Sequence, residues 1–235
     1  MMHEIALSPD IVERVRKRRG GKLHAFDRFE GAKTALIVID MQNVWVKPGM
    51  PAYSPYCQGI VPNINRLATA TRAAGGPVYW VRAVYGDDTP KTWSAYFDFM
   101  DGEATRTMLD ALTEGHEGAD LWHGLDIRPG DETVIKRRFS AFIQGSSDLE
   151  QRLRARGVDT LLITGTATNV CCESTARDAF MLNFRTTVIS DGNATGTDEL
   201  HNASLGLLFA RFADVMTTDE AIERLQPGAK AAAAE

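Results

Sequence analysis

Three side chains capable of nucleophilic and acid–base chemistry close, or closely follow, apolar runs. Asp40 ends TALIVID, Lys136 ends ETVIK, and Cys171 comes just after DTLLITGTATNV. Runs of this kind read as buried parallel strands, and ligands in open α/β sheets bind outside the carboxyl ends of strands. A thiol needs a proton acceptor, which a carboxylate can be, and a neighbouring cation keeps that carboxylate ionised. Acyl transfer also needs two N–H donors for the developing oxyanion. The turn Gly165-Thr166-Ala167-Thr168 can supply backbone donors. The helical pattern starts around Val170 to Glu173, so Cys171 is expected at or near a helix N-terminus. Free N–H groups and the helix dipole there would make its thiolate easier to form than a free thiol's, with pKa about 8.5. Each residue alone has a plainer reading: an inert core cysteine, an aspartate capping a turn, a solvated strand-end lysine. Their placement at the same ends of several strands is what favours chemistry.

The rest of the pattern supplies the elements that must hold these groups. Strands are expected at Thr34–Asp40, Pro77–Val81, Glu132–Lys136, around Leu161–Ile163, at Thr186–Asp191 and at Ala213–Thr217. The fourth is not expected to continue through Gly165 to Thr168. Helical stripes fill the intervals: Asn63–Ala74, Ser147–Arg156, the segment after Cys171, Asp198 onward through Leu205, Leu208 and Phe209, and a last helix to Leu225 capped by Thr218. This alternation predicts an α/β fold, a doubly wound, mainly parallel six-stranded sheet in one domain over 34–227. Residues 1–33 form an N-terminal arm, with a helix from Ser8-Pro9-Asp10 to Gly20-Gly21, and 228–235 is expected to be a disordered tail. Sequence alone does not fix whether the arm packs on its own domain or on a second subunit. Trp45–Gly59, rich in proline, glycine and aromatics, is expected to be an irregular substrate lid. Gly86–Gly130 carries Trp93, Tyr96, Phe97, Phe99 and Trp122, expected mainly as packing for a short helix and its loops, with some facing the pocket.

Composition excludes several classes. The 235 residues carry 44% hydrophobic and 24% charged side chains and a net charge of −5, which gives no nucleic-acid surface. The basic run Arg14–Arg19 reads as a solvated helix face. Three cysteines, two of them adjacent, cannot form an ordinary disulfide framework, and the five histidines show no HxH or HExxH spacing. No GxGxxG or Walker pattern marks a dinucleotide or nucleotide site. With no apolar leader and no run of ~20 apolar residues, a cytoplasmic protein with no membrane partner is expected.

Three motifs together carry a resemblance: LIVIDMQN with Asp40, VIKRRFSAF with Lys136, and TGTATNVCCESTARDA with Cys171. Over nearly all of Thr34–Leu225 the chain resembles the isochorismatase-like cysteine hydrolases. That resemblance implies a three-layer doubly wound sheet and an Asp-Lys-Cys triad, with Asp40 as general base, Lys136 as orienting cation and Cys171 as nucleophile. It implies that Cys172 points into the core, and that a cis Thr166–Ala167 peptide aligns the backbone N–H groups of Ala167 and Cys171 as an oxyanion hole. It also implies a homo-oligomer, dimer or tetramer, acting on a small-molecule substrate without a cofactor. Nicotinamidases of similar pattern carry an Asp/His metal cluster after the first strand. Val44 and a histidine-free loop stand there in this chain, so no metal is expected. The spelling is similar to ureidoacrylate amidohydrolases and N-carbamoyl amidases, which implies C–N hydrolysis through a thioester. Gln42, Trp45, Tyr53 and Asn169 are the expected substrate contacts. Two alternatives stay open: a vinyl-ether hydrolase using Asp40 and Lys136 without Cys171, and a non-catalytic binding protein on the same fold. A Cys171–Cys172 redox pair is weak, because adjacent cysteines bridge only under strain.

Overall fold

Every residue of Thr34–Ile39 and of Thr160–Thr166 is buried, so both strands need cover on two faces. The computed structural model, which describes residues 1–100 and 102–227, provides it. Six parallel strands form the sheet: β1 (Thr34–Ile39), β2 (Val78–Ala83), β3 (Glu132–Lys136), β4 (Thr160–Thr166), β5 (Arg185–Ala194) and β6 (Asp214–Met216). Their order is β3-β2-β1-β4-β5-β6. The direction of winding reverses between β1 and β4, which makes their carboxyl ends the natural ligand crevice. The tail expected at 228–235 lies outside the described residues.

Alternate strand residues serve opposite faces, as the two-residue period requires. Ile37, Ile39, Val81, Leu161 and Ile163 meet Leu149, Leu153, Ala176, Leu205 and Phe209 on one side. Leu36, Val38, Val78, Trp80 and Leu162 meet Ile64, Leu67, Ala68 and Ala221 on the other. The seven helices that matter are α1 (Pro9–Arg18), α2 (Val61–Ala73), α3 (Glu103–Ala111), α4 (Leu149–Ala155), α5 (Glu173–Met181), α6 (Asp198–Arg211) and α7 (Thr218–Arg224). The result is a three-layer, doubly wound α/β fold.

Several boundaries differ from the sequence reading, each for a local reason. Strand β1 stops at Ile39, because Asp40 adopts φ +53 and turns the chain out of the sheet. Strand β4 runs on to Thr166, carried past the expected stop by Gly165 at φ +115. Helix α2 begins at Val61, with Pro62 in a first turn where its missing N–H costs nothing. Helix α7 is capped by Thr217, not Thr218, in a reciprocal capping box with Glu220. Strand β5 continues beyond Asp191, whose carboxylate accepts from the Thr218 backbone N–H and the Asn63 amide and so ties β5 to α7 and α2. Trp45–Gly59 is not wholly irregular: Asn43–Val46 and Pro55–Gly59 form short helical turns.

The arm packs in cis. Val15 of α1 is buried in the core, and α1 lies against α6. At its start, the His3 ring stacks between Tyr56 at 3.9 Å and His201 at 4.3 Å. His3 Nε2 accepts from the Thr195 N–H at 3.1 Å, so the ring proton sits on Nδ1 and is donated to Asp198 at 2.6 Å. Among the described residues, no helix is long and apolar enough to cross a membrane.

Candidate active site

The ends of β1 and β3 and the turn after β4 bring Asp40, Lys136 and Cys171 together. Lys136 Nζ lies 2.9 Å from Asp40 Oδ2, with both side chains wholly buried. The same ammonium donates to Cys171 Sγ at 3.4 Å and to the Arg138 carbonyl at 3.0 Å, so its three donors are all directed. Asp40 Oδ1 is buried with no hydrogen-bond partner among the described residues. The Asp40 carboxylate neighbours the Cys171 thiol and is placed to receive its proton.

Cys171 does not sit at the start of a regular helix. Thr168–Cys172 form a π-helical turn, and α5 begins only at Glu173. Two amides, of Val170 and Cys172, share the Ala167 carbonyl at 3.0 and 3.2 Å. Burial pushes the Cys171 thiol up to about 12, against the lowering influence of Lys136. The expected easy thiolate is corrected to a thiol that stays protonated at rest. Burial also raises Asp40, with Lys136 opposing it. A general base must be ionised, so raising its pKa moves the acid limb of activity upward. We expect kcat/KM to rise through one limb above the ordinary carboxylate value of about 3.9 and then stay level to pH 9, with no step near 8.5. A rise centred near 8.5 in the measured pH profile would instead mean a preformed thiolate.

The backbone around these groups is tightly fitted. A Cβ on Gly165 would stand 2.0 Å from the Ile39 carbonyl oxygen and 2.7 Å from its nitrogen. No side chain fits, and φ +115 is itself a glycine conformation. Gly165→Ala would therefore force apart β4 and β1 next to Asp40. We expect a loss of about 1–3 kcal/mol in chemical denaturation together with most of the activity; an unchanged denaturation midpoint would contradict this packing.

Gln42 was expected at the substrate, and the structure corrects this. It is fully buried, its Nε2 donates to the carbonyls of Ala83 (2.9 Å) and Ala119 (2.8 Å), and its Oε1 accepts from the Ala83 N–H at 2.8 Å. Its amide ties the chain after Asp40 to the end of β2. Asn169 is likewise engaged, its Oδ1 accepting from Thr195 Oγ1 at 2.6 Å. Cys172 is wholly buried in the core, as the resemblance implied.

Asp40 and Cys171 floor a cavity of about 60 Å³ walled by Trp45, Tyr85, Tyr96, Leu112 and Phe139. Trp45 also borders a second chamber of about 440 Å³, lined by Tyr53, Tyr56, Cys57 and Ala167 among others. Trp45 thus borders both chambers, and Tyr53 borders only the second. The Thr166–Ala167 peptide bond is cis. A groove of about 360 Å³ elsewhere, bordered by Arg18, Phe184 and Asp214, holds none of the three reactive groups.

Sequence reasoning missed two contributors. Tyr85 lies two residues past β2, and the same strand-end rule that selected Asp40 could have found it. His201 braces the turn before Cys171. Its Nε2 lies 3.1 Å from the Ser190 carbonyl, which can only accept, so Nδ1 accepts from the Thr168 hydroxyl at 2.8 Å. Burial pushes its pKa down to about 4, which keeps that tautomer neutral. The nearest sequence signal was weak: a histidine on a helix that begins well after the cysteine motif. Among the described residues, no group of three or more His, Cys, Asp or Glu side chains could hold a metal ion.

Comparison with known proteins now decides the family. The Isochorismatase domain matches residues 34–220. The chain belongs to the isochorismatase family. Within this family, YwoC of Bacillus subtilis (strain 168) is 32% identical over 200 residues, covering 83% of this chain and 95% of the relative. A ureidoacrylate amidohydrolase, RutB of Methylobacterium radiotolerans, is 33% identical over 210 residues, covering 81% of this chain and 80% of its own. The crystal structure of a cysteine hydrolase from Pseudomonas syringae pv. phaseolicola 1448A superposes with TM-score 0.74 at 30% identity, covering 85% of this chain and 96% of that one. The protein is an isochorismatase-family hydrolase with the fold of the solved cysteine hydrolases.

Proposed function

We propose that this hydrolase cleaves the C–N bond of a small amide, ureido or N-carbamoyl compound through a thioester on Cys171. The observation that carries the reading is the buried cluster in which one ammonium contacts both the Asp40 carboxylate (2.9 Å) and the Cys171 sulfur (3.4 Å). The similarity to a ureidoacrylate amidohydrolase supports the choice of a C–N bond.

In this mechanism Asp40 takes the thiol proton as Cys171 Sγ attacks the carbonyl carbon. Concerted transfer suits a thiol whose burial prevents it from ionising beforehand. The new C–S bond forms as the C=O π pair moves to oxygen, where the backbone N–H groups of Ala167 and Cys171 would hold it. Collapse restores the carbonyl and breaks the C–N bond, and the proton on Asp40 goes to the leaving nitrogen. Ammonia or an amine departs. Water then attacks the thioester, giving its proton to Asp40, and the acid leaves as Sγ recovers that proton. Lys136 stays charged throughout, orienting the carboxylate and compensating its negative charge.

The test is an ammonia-release screen over ureido acids, N-carbamoyl amino acids and small aromatic amides, with Cys171→Ala as the blank. Release by the wild type and none above background by the variant is the expected result. Equal release by both would remove Cys171 from the reaction.

A further inference from the structure

Beyond the bond cleaved, the cavity over Cys171 says what kind of acyl group it takes. Its walls include Tyr85, Tyr96, Met108, Leu109, Leu112 and Phe139, and among the described residues no lysine, arginine or histidine lines it. Tyr85 and Tyr96 give it two neutral phenols, and burial raises the pKa of both, so they remain hydrogen-bond donors. The nearby cations are already engaged. Lys136 is wholly buried and directed at Asp40, Cys171 and the Arg138 carbonyl. Arg138 lies over Trp93 at 5.2 Å and gives Nη1 to the Arg137 carbonyl and Nη2 to the Thr92 carbonyl, both at 2.7 Å. Among the described residues, no charged side chain lines the larger chamber across Trp45 either.

We infer, resting on the Cys171 thioester reading, that the pocket accepts a short, uncharged acyl group and excludes acyl groups bearing a carboxylate. Two physical terms set this preference. A carboxylate in the cavity would lose its hydration with no cation to replace it. It would also face Asp40, a buried carboxylate on the same floor. Size points the same way. A water needs about 10–15 Å³ of such volume, so about 60 Å³ admits only a few heavy atoms beside the sulfur. Among the compounds of the proposed reaction, those that leave an uncharged acyl or carbamoyl group on sulfur fit this site, and those that would leave a carboxylate-bearing acyl group do not.

The experiment compares iodoacetamide with iodoacetate on the full-length protein, two alkylating agents of similar size that differ in charge. Cys171 labelling is followed by peptide mass mapping, and each rate is divided by that for a free thiol in the same buffer. Iodoacetamide should be favoured by at least about tenfold, the direction set by desolvation of an unpaired carboxylate. Met108→Arg, at a half-buried wall position, should narrow that ratio by placing a cation in the cavity. Equal labelling, or faster labelling by iodoacetate, would overturn the pocket inference and leave the nucleophile standing. Failure of both reagents to label Cys171, with Cys171→Ala as the control, would overturn the nucleophile reading and this inference with it.

Discussion

Asp40→Asn should leave a folded but weakened protein without measurable turnover. The amide keeps the shape of the carboxyl group but cannot take the thiol proton. It also leaves the Lys136 ammonium wholly buried without its counter-charge. Breaking a buried ion pair from one side costs about 3–5 kcal/mol, because the surviving charge has lost both water and partner. Removing both charges tests that explanation. Asp40→Leu with Lys136→Met should regain much of the lost stability in chemical denaturation, yet stay inactive. If the double variant is no more stable than Asp40→Asn, buried charge is not what weakens the single variant.

Cys171→Ala should lower kcat/KM by at least about 10³-fold, since no other group in the cluster can form the acyl intermediate. The neighbouring cysteine gives the contrast. Cys172 is wholly buried and serves packing, so Cys172→Ala should lower the melting temperature while leaving turnover near that of the wild type. Steady-state kinetics and thermal melts on the two variants separate attack from packing at adjacent positions. Substantial activity in Cys171→Ala would favour the ether-hydrolase alternative, which needs only Asp40 and Lys136.

The strands and the meeting of Asp40, Lys136 and Cys171 were readable because one rule governs both. Apolar runs buried on two faces mark parallel strands, and the residues closing or following them lie at the ligand end. What stayed hidden depends on side chains meeting across long sequence separations. Gln42 looks like a pocket residue by position, and only the approach of Ala83 and Ala119 shows its amide to be spent on backbone. The acidity of Cys171 could not be read either, because the sequence reports a nearby helix start but not the depth at which the sulfur is buried. The arm's docking likewise rests on His3 meeting Tyr56 and His201, which no local pattern encodes.

The central claim is that Cys171 carries the acyl group during turnover. Rapid-quench intact mass measurement, with a substrate found in the ammonia-release screen, tests it most directly. A mass increase equal to the acyl group, mapped to the peptide containing Cys171 and absent from Cys171→Ala, is the predicted result. Turnover with no covalent adduct at any quench time, together with activity retained by Cys171→Ala, would contradict it.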